Sequence, residues 1–186
     1  MSYASAMHDR MLAGLVIPCY VVAVDLAAAR VRVSDGAGWT SAWLRWHSLG
    51  AGKARHWRAP SLGEQGVLIS ASGEPAQGTF VPGLYGNAGD PPDNRDHVEV
   101  WRFEDGGSLI YDWQSSSYSI DLPSGTVTLR VGSSSAVISA DAIQATAATV
   151  TVTGEVQING SLRVTGDIFG AARIIDTGGN TANHKH

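Results

Sequence analysis

Two imidazoles near the end of the chain, His184 and His186, are the residues whose type and spacing most directly imply chemistry. In an extended segment, residues two apart project to the same face, so both rings point one way. One such pair is a weak metal signal, and taken alone it reads more readily as a solvated, frayed terminus, which is what terminal residues usually are. On a threefold axis the same pair supplies two rings from each of three chains. Six imidazole nitrogens around one point suit an octahedral first-row metal and fit tetrahedral structural zinc poorly. The rings bind metal in their neutral form. Such a site therefore empties as pH falls below the ordinary histidine value of about 6.5, and the metal pushes that loss lower. Lys185 between the two rings sets them apart from a purification tag. The remaining histidines, His8, His47, His56 and His97, are scattered and show no ligand spacing.

What would carry such a pair onto an axis is the segment upstream. From Val150 the chain runs in hexads: Val-Thr-Val-Thr-Gly-Glu (150–155), Val-Gln-Ile-Asn-Gly-Ser (156–161) and Leu-Arg-Val-Thr-Gly-Asp (162–167), with Ile168 opening a broken fourth. Every even position from 150 to 168 is apolar or glycine, and every odd position from 151 to 167 is polar. Successive side chains of a strand point to opposite faces, so the segment has one dry face and one wet face throughout. Glycine at every sixth position marks a bend or a close approach to another chain. A single-chain β-helix needs several stacked coils of about three hexads each, and this chain would complete roughly one. Three copies wound around a common axis bury all three dry stripes and pair the strand edges that one copy leaves open. The expectation is an intertwined homotrimeric β-helix, at most about 60 Å long at roughly 3.3 Å per residue. A long strand within a larger sheet is the alternative, and strands of that length are uncommon.

The rest of the chain supports this stem. Its 186 residues carry 13 Lys+Arg against 17 Asp+Glu, a formal charge of −4, with no basic footprint for nucleic acid or an anionic membrane. Arg45, Lys53, Arg55 and Arg58 form a local basic run that reads as a solvated loop. A single cysteine, Cys19, excludes an intrachain disulfide framework and a cysteine-built zinc site. The most apolar stretch, 11–24, is interrupted by Pro18 and is shorter than the roughly 20 residues that span a bilayer. The chain reads as made in the cytoplasm and soluble. All six tryptophans lie before residue 114, and beyond it small and β-branched residues dominate, which favours strands.

In the first part, residues 2–12 read as a short helix. Val21–Val24 and Arg30–Val33 read as a hairpin, and Gly66–Ser70 and Gly78–Leu84 as further strands around the turn at Ser72–Pro75. Short strands between Gly/Pro turns imply a small antiparallel barrel, of which the five-stranded OB-fold is one form. Most of the tryptophans are expected in its core. From Val98, turn signals at Asp105–Gly107, Ser115–Ser117, Pro123–Gly125 and Gly132–Ser135 separate short alternating strands, a β-meander.

Several segments together resemble one family. Pro60-Ser61-Leu62-Gly63-Glu64-Gln65-Gly66-Val67-Leu68-Ile69-Ser70, Gly73-Glu74, Gln77-Gly78 and Gly83-Leu84-Tyr85 look like the OB domain of phage baseplate assembly protein V, the central spike of contractile-tailed temperate phages and R-type pyocins. The likeness continues through Phe103-Glu104-Asp105-Gly106, Ile110-Tyr111-Asp112 and Asp121-Leu122-Pro123 into the hexads and the terminal Asn-His-x-His. The resemblance implies an all-β protein: an N-terminal OB-fold barrel followed by a homotrimeric intertwined β-helix stem with a metal-capped tip. The divisions expected are 1–97 for the OB domain with its short helix and 98–149 for the trimeric meander. The triple-stranded β-helix then takes 150–170 and the apex 171–186.

The resemblance also implies a function. The trimer would sit under the tail tube, docked to baseplate hub proteins through the OB domain, and pierce the target cell's outer membrane when the sheath contracts. His184 and His186 would hold an iron ion, one per trimer, with nickel or zinc the less fitting occupants. The chain ends at His186, where relatives often continue past the motif, and its stem is short. No nucleic acid, small-molecule substrate or catalytic residue is expected. The energy comes from elsewhere, since no Walker-type glycine loop is present. A left-handed β-helix acyltransferase needs many more coils. A tail glycosidase needs two positioned carboxylates, for which Glu64, Glu74, Glu99 and Glu104 are the available groups. The rival of a different class is a glycan- or receptor-binding tail-tip module using the OB face.

Overall fold

A computed structural model describes residues 3–171 of the chain. The N-terminal helix α1 (Tyr3–Ala13) buries none of its side chains. It leads into β1 (Val16–Asp25), which turns back through β2 (Arg30–Ser34). The turn is held by Asp25 Oδ1, which accepts the Ala28 N–H at 2.9 Å, and by Ala29 in the left-handed region at φ 51°. β3 (Arg45–Trp46), β4 (Gln65–Ile69) and β5 (Thr79–Leu84) complete a five-stranded sheet in the order β2-β1-β4-β5-β3. β1 pairs antiparallel with both β2 and β4, β4 pairs antiparallel with β5, and β3 runs parallel to β5. Reciprocal hydrogen bonds between Val31 and Leu44, at 2.9 and 2.8 Å, bring the start of β3 back beside β2 and close the sheet into a barrel.

Period-two alternation decides what lies inside the barrel. Cys19 and Val21 of β1, Val31 and Val33 of β2, Leu68 of β4 and Phe80 of β5 point inward with Leu44 and form the buried core. Gly66 of β4 lies against Phe80. A Cβ there would come within 2.6 Å of the Phe80 ring, so the absence of a side chain makes room for the largest core residue. The tryptophans depart from expectation. Trp39 and Trp46 pack against the core while still partly exposed, and Trp43, Trp57, Trp101 and Trp113 are exposed in one chain. A barrel this small fills its interior with Val, Leu and one Phe, and indole rings are too large to add inside it.

Beyond the barrel, β6 (Val98–Arg102), β7 (Ser108–Asp112) and β8 (Ser117–Asp121) form an antiparallel meander. β9 (Thr126–Val131), β10 (Ser134–Ser139) and β11 (Ile143–Thr146) form a second. The intervening turns coincide with the glycine- and serine-rich signals, including Gly106, Gly125 and Gly132 at positive φ. Two compact units divide between Pro123 and Ser124, inside the stretch 98–149 that reads as a single meander from sequence. Residues 147–171 contain no strand within the chain, and all are exposed. No helix among the described residues is long and apolar enough to cross a membrane.

Candidate trimerisation surface

The hexad segment presents its apolar row uncovered. Val150, Val152, Val156, Ile158, Leu162, Val164 and Ile168 are each 43–67% exposed in one chain. Strand hydrogen bonds need a neighbour, and among the described residues the hexads pair with none. Alternation that reads as strand but stays unpaired is what a strand completed by other copies looks like in a single copy. On the wet face, Gln157 Nε2 donates to Asn159 Oδ1 at 3.0 Å, a contact between polar side chains two apart.

The second meander repeats the pattern. Its register places Leu129 beside Ala136 and Ala136 beside Ala145, with Val127, Ile138 and Ile143 aligned in the next row. That face is apolar, and Leu129 and Ile143 on it are 69% and 81% exposed. The opposite face carries Thr126, Thr128, Arg130, Ser135 and Gln144, with Val137 among them. A three-stranded sheet with one apolar face open to water is not a finished structure, because that face must pack against something. The turn signals at 123–125 and 132–135 flank β9, but the sequence reading names neither β10 nor β11 and does not single out this face. The alternation Val127, Leu129, Val131 was the signal that could have done so.

The first meander carries an aromatic face. Glu99, Trp101, Leu109, Tyr111 and Tyr118 line a shallow cleft of about 270 Å³. The Trp101 indole donates to Glu99 Oε1 at 3.0 Å, and the Tyr111 and Tyr118 ring centroids are 6.4 Å apart. At the end of β7, Asp112 joins the meander to the connector that follows the barrel. Its carboxylate accepts the Ser115 and Gln114 N–H groups, lies 3.1 Å from His97 Nδ1 and lies 3.6 Å from the Arg95 guanidinium. The Ser115 N–H first, then His97 and the Gln114 N–H, hold Asp112 below the usual carboxylate range. Arg95 also binds Asp93 at 2.7 Å and holds that carboxyl far below its ordinary value.

His184 and His186 lie outside the described residues. Among the described residues, no group of three His, Cys, Asp or Glu side chains is arranged to hold a metal. Cys19 sits in the barrel core, where burial pushes its thiol up to about 11. Three of the four carboxylates weighed for glycoside chemistry are tied to local partners. Glu64 binds Arg58 and the Ser61 N–H, Glu74 accepts the Ala76 N–H, and Glu99 holds the Trp101 indole.

Comparison with known proteins places names beside this geometry. Residues 17–85 match the family model described as the type VI secretion system/phage-baseplate injector OB domain. Residues 99–170 match that of the Gp138 beta helical trimerization domain. The chain is 30% identical to the spike protein of Escherichia phage P2 over 192 aligned positions, spanning 95% of this chain and 89% of that protein.

Proposed function

The chain belongs to the phage baseplate spike family, and on that premise we propose that it is the central spike of a contractile tail or tailocin baseplate, driven through the bacterial outer membrane as the sheath contracts. The uninterrupted apolar row from Val150 to Ile168, uncovered in one chain and lying within the match to a trimerization domain, supports this reading most directly. Three such rows facing a common axis bury one another, each large aliphatic side chain contributing about 1.5–3 kcal/mol on full burial. The product is a narrow rod whose backbone groups are bonded between chains.

Its work is mechanical. A rod with its strand edges paired resists buckling, and no residue need touch a reacting bond. The OB barrels form the broad end, which docks to the tail tube and hub. His184 and His186 of three chains would hold one iron ion, since six imidazoles would suit octahedral coordination. When bound, the ion cross-links three termini that would otherwise splay. The protein is a component of the tail and has no catalytic step of its own.

The test uses assembled particles carrying wild-type spike or the His184→Ala, His186→Ala double variant. Both should adsorb and contract, while uptake of a hydrophobic dye across the outer membrane of target cells drops for the variant. Equal permeabilisation by the two particles would remove the apex histidines from the mechanism. Saturable binding of isolated spike to surface polysaccharide would favour the glycan-binding reading instead.

A further inference from the structure

The first compact unit has a charge asymmetry that piercing does not explain. Residues 30–58 hold six cationic side chains and one carboxylate, whereas residues 64–121 hold ten carboxylates and two arginines. The barrel's closing seam concentrates the positive part. Because Val31 and Leu44 bond reciprocally in antiparallel fashion, Arg30 stands opposite Arg45, and Arg32 opposite Trp43, on the outer surface. Arg32 lies over the Trp43 ring at 5.9 Å and donates to the Ser41 carbonyl. Arg30, Trp43 and Arg45 line a cleft of about 300 Å³ floored by residues 76–78.

Like charges placed directly across a strand pair are destabilising unless an anion lies between them. The carboxylates nearest in sequence and register do not serve. Asp25, opposite Arg30, accepts the Ala28 N–H. Asp35 accepts the Ala37 and Trp39 N–H groups, and Glu74 accepts the Ala76 N–H. Among the described residues neither Arg30 nor Arg45 has an ion-pair partner. The connector after the barrel shows the converse. Asp90 and Asp96 are exposed and likewise without an ion-pair partner among the described residues.

A ring of three identical chains has heterologous interfaces, in which one patch of each copy meets a different patch of the next. One chain carrying separate basic and acidic patches fits that symmetry, the basic patch of each copy meeting the acidic patch of the next. We propose that the Arg30–Arg45 cleft is an inter-protomer docking site that receives the carboxylates of Asp90 and Asp96 from the neighbouring copy. The site rests on the trimer reading and adds to it a second contact, at the barrel end. It would fix the rotation of the barrels about the axis, which an apolar stem alone leaves free.

Arg45→Lys in the full-length chain provides the probe, because it keeps the charge and adds an amine. A water-soluble carbodiimide then joins that amine to a touching carboxylate as an amide, taking up the water lost and leaving as a urea. Denaturing gels of the treated variant should show dimer and trimer bands beyond the wild-type background. Mass spectrometry should map the new link from position 45 to the peptide containing Asp90 and Asp96. Adding Asp90→Asn and Asp96→Asn should abolish both signals. Native mass spectrometry of the same samples separates the two ideas. A trimer without the link, or a link confined within one chain, overturns the docking site and leaves the stem standing. A monomer overturns both.

Discussion

Individual side chains divide into those that hold the barrel and those that answer to other copies. Phe80 fills the barrel centre against Gly66, and Phe80→Ala should cost about 3–5 kcal/mol in the denaturant unfolding of the first compact unit. Cys19 beside it should resist alkylation in the folded protein, since a thiol raised to about 11 leaves roughly one part in a thousand as thiolate at pH 8. Asp93 and Asp112 are carboxylates held below their ordinary value, so the stability they contribute is fully present above that value and lost as pH falls toward their lower folded values. Thermal unfolding of the first unit should therefore weaken on acidification below about pH 4, and Asp112→Asn should flatten that dependence while lowering the midpoint at neutral pH. A midpoint in the variant that falls with acid as steeply as in the wild type would show that Asp112 carries none of it.

Elements explain which parts of the fold are legible from sequence. The hairpin of β1 and β2, the β4 and β5 strands and both meanders announce themselves by period-two alternation between glycine-bearing turns, and the observed strands fall there. The tryptophans are less legible. Indole hydrophobicity points inward, but only tertiary packing shows that Val31, Leu44, Leu68 and Phe80 already fill the available space. The Arg30–Arg45 juxtaposition is hidden for a similar reason, because the two side chains stand fifteen positions apart in sequence and only a strand register brings them face to face. The hexads are the opposite case. Their pattern is plain in sequence, yet among the described residues they pair with no strand, and on the proposed reading other copies finish the element. Phase can be tested there directly. Ile158→Asp on the dry face would bring three carboxylates together in an apolar axis and should abolish the trimer, while Gln157→Asp on the wet face should leave it intact. Far-ultraviolet circular dichroism and size-exclusion chromatography read the two outcomes, and equal behaviour of the pair would mean the alternation does not set the interface.

At the scale of the whole molecule, the second meander and the hexad segment each leave an apolar row open in one copy. A match to a trimerization domain over residues 99–170 and 30% identity to a phage spike protein give that openness its meaning. At this scale the apex and the stem make separable predictions. The His184→Ala, His186→Ala double variant should remain trimeric while losing bound iron by elemental analysis, since the aliphatic row and not the ion assembles the rod. Native mass spectrometry of the full-length wild-type chain at neutral pH is the most direct test of the assembly itself. The expected mass is that of three 19.5 kDa chains, with one iron ion retained. A single-chain mass under those conditions would contradict the intertwined stem, and with it the reading of this protein as a spike.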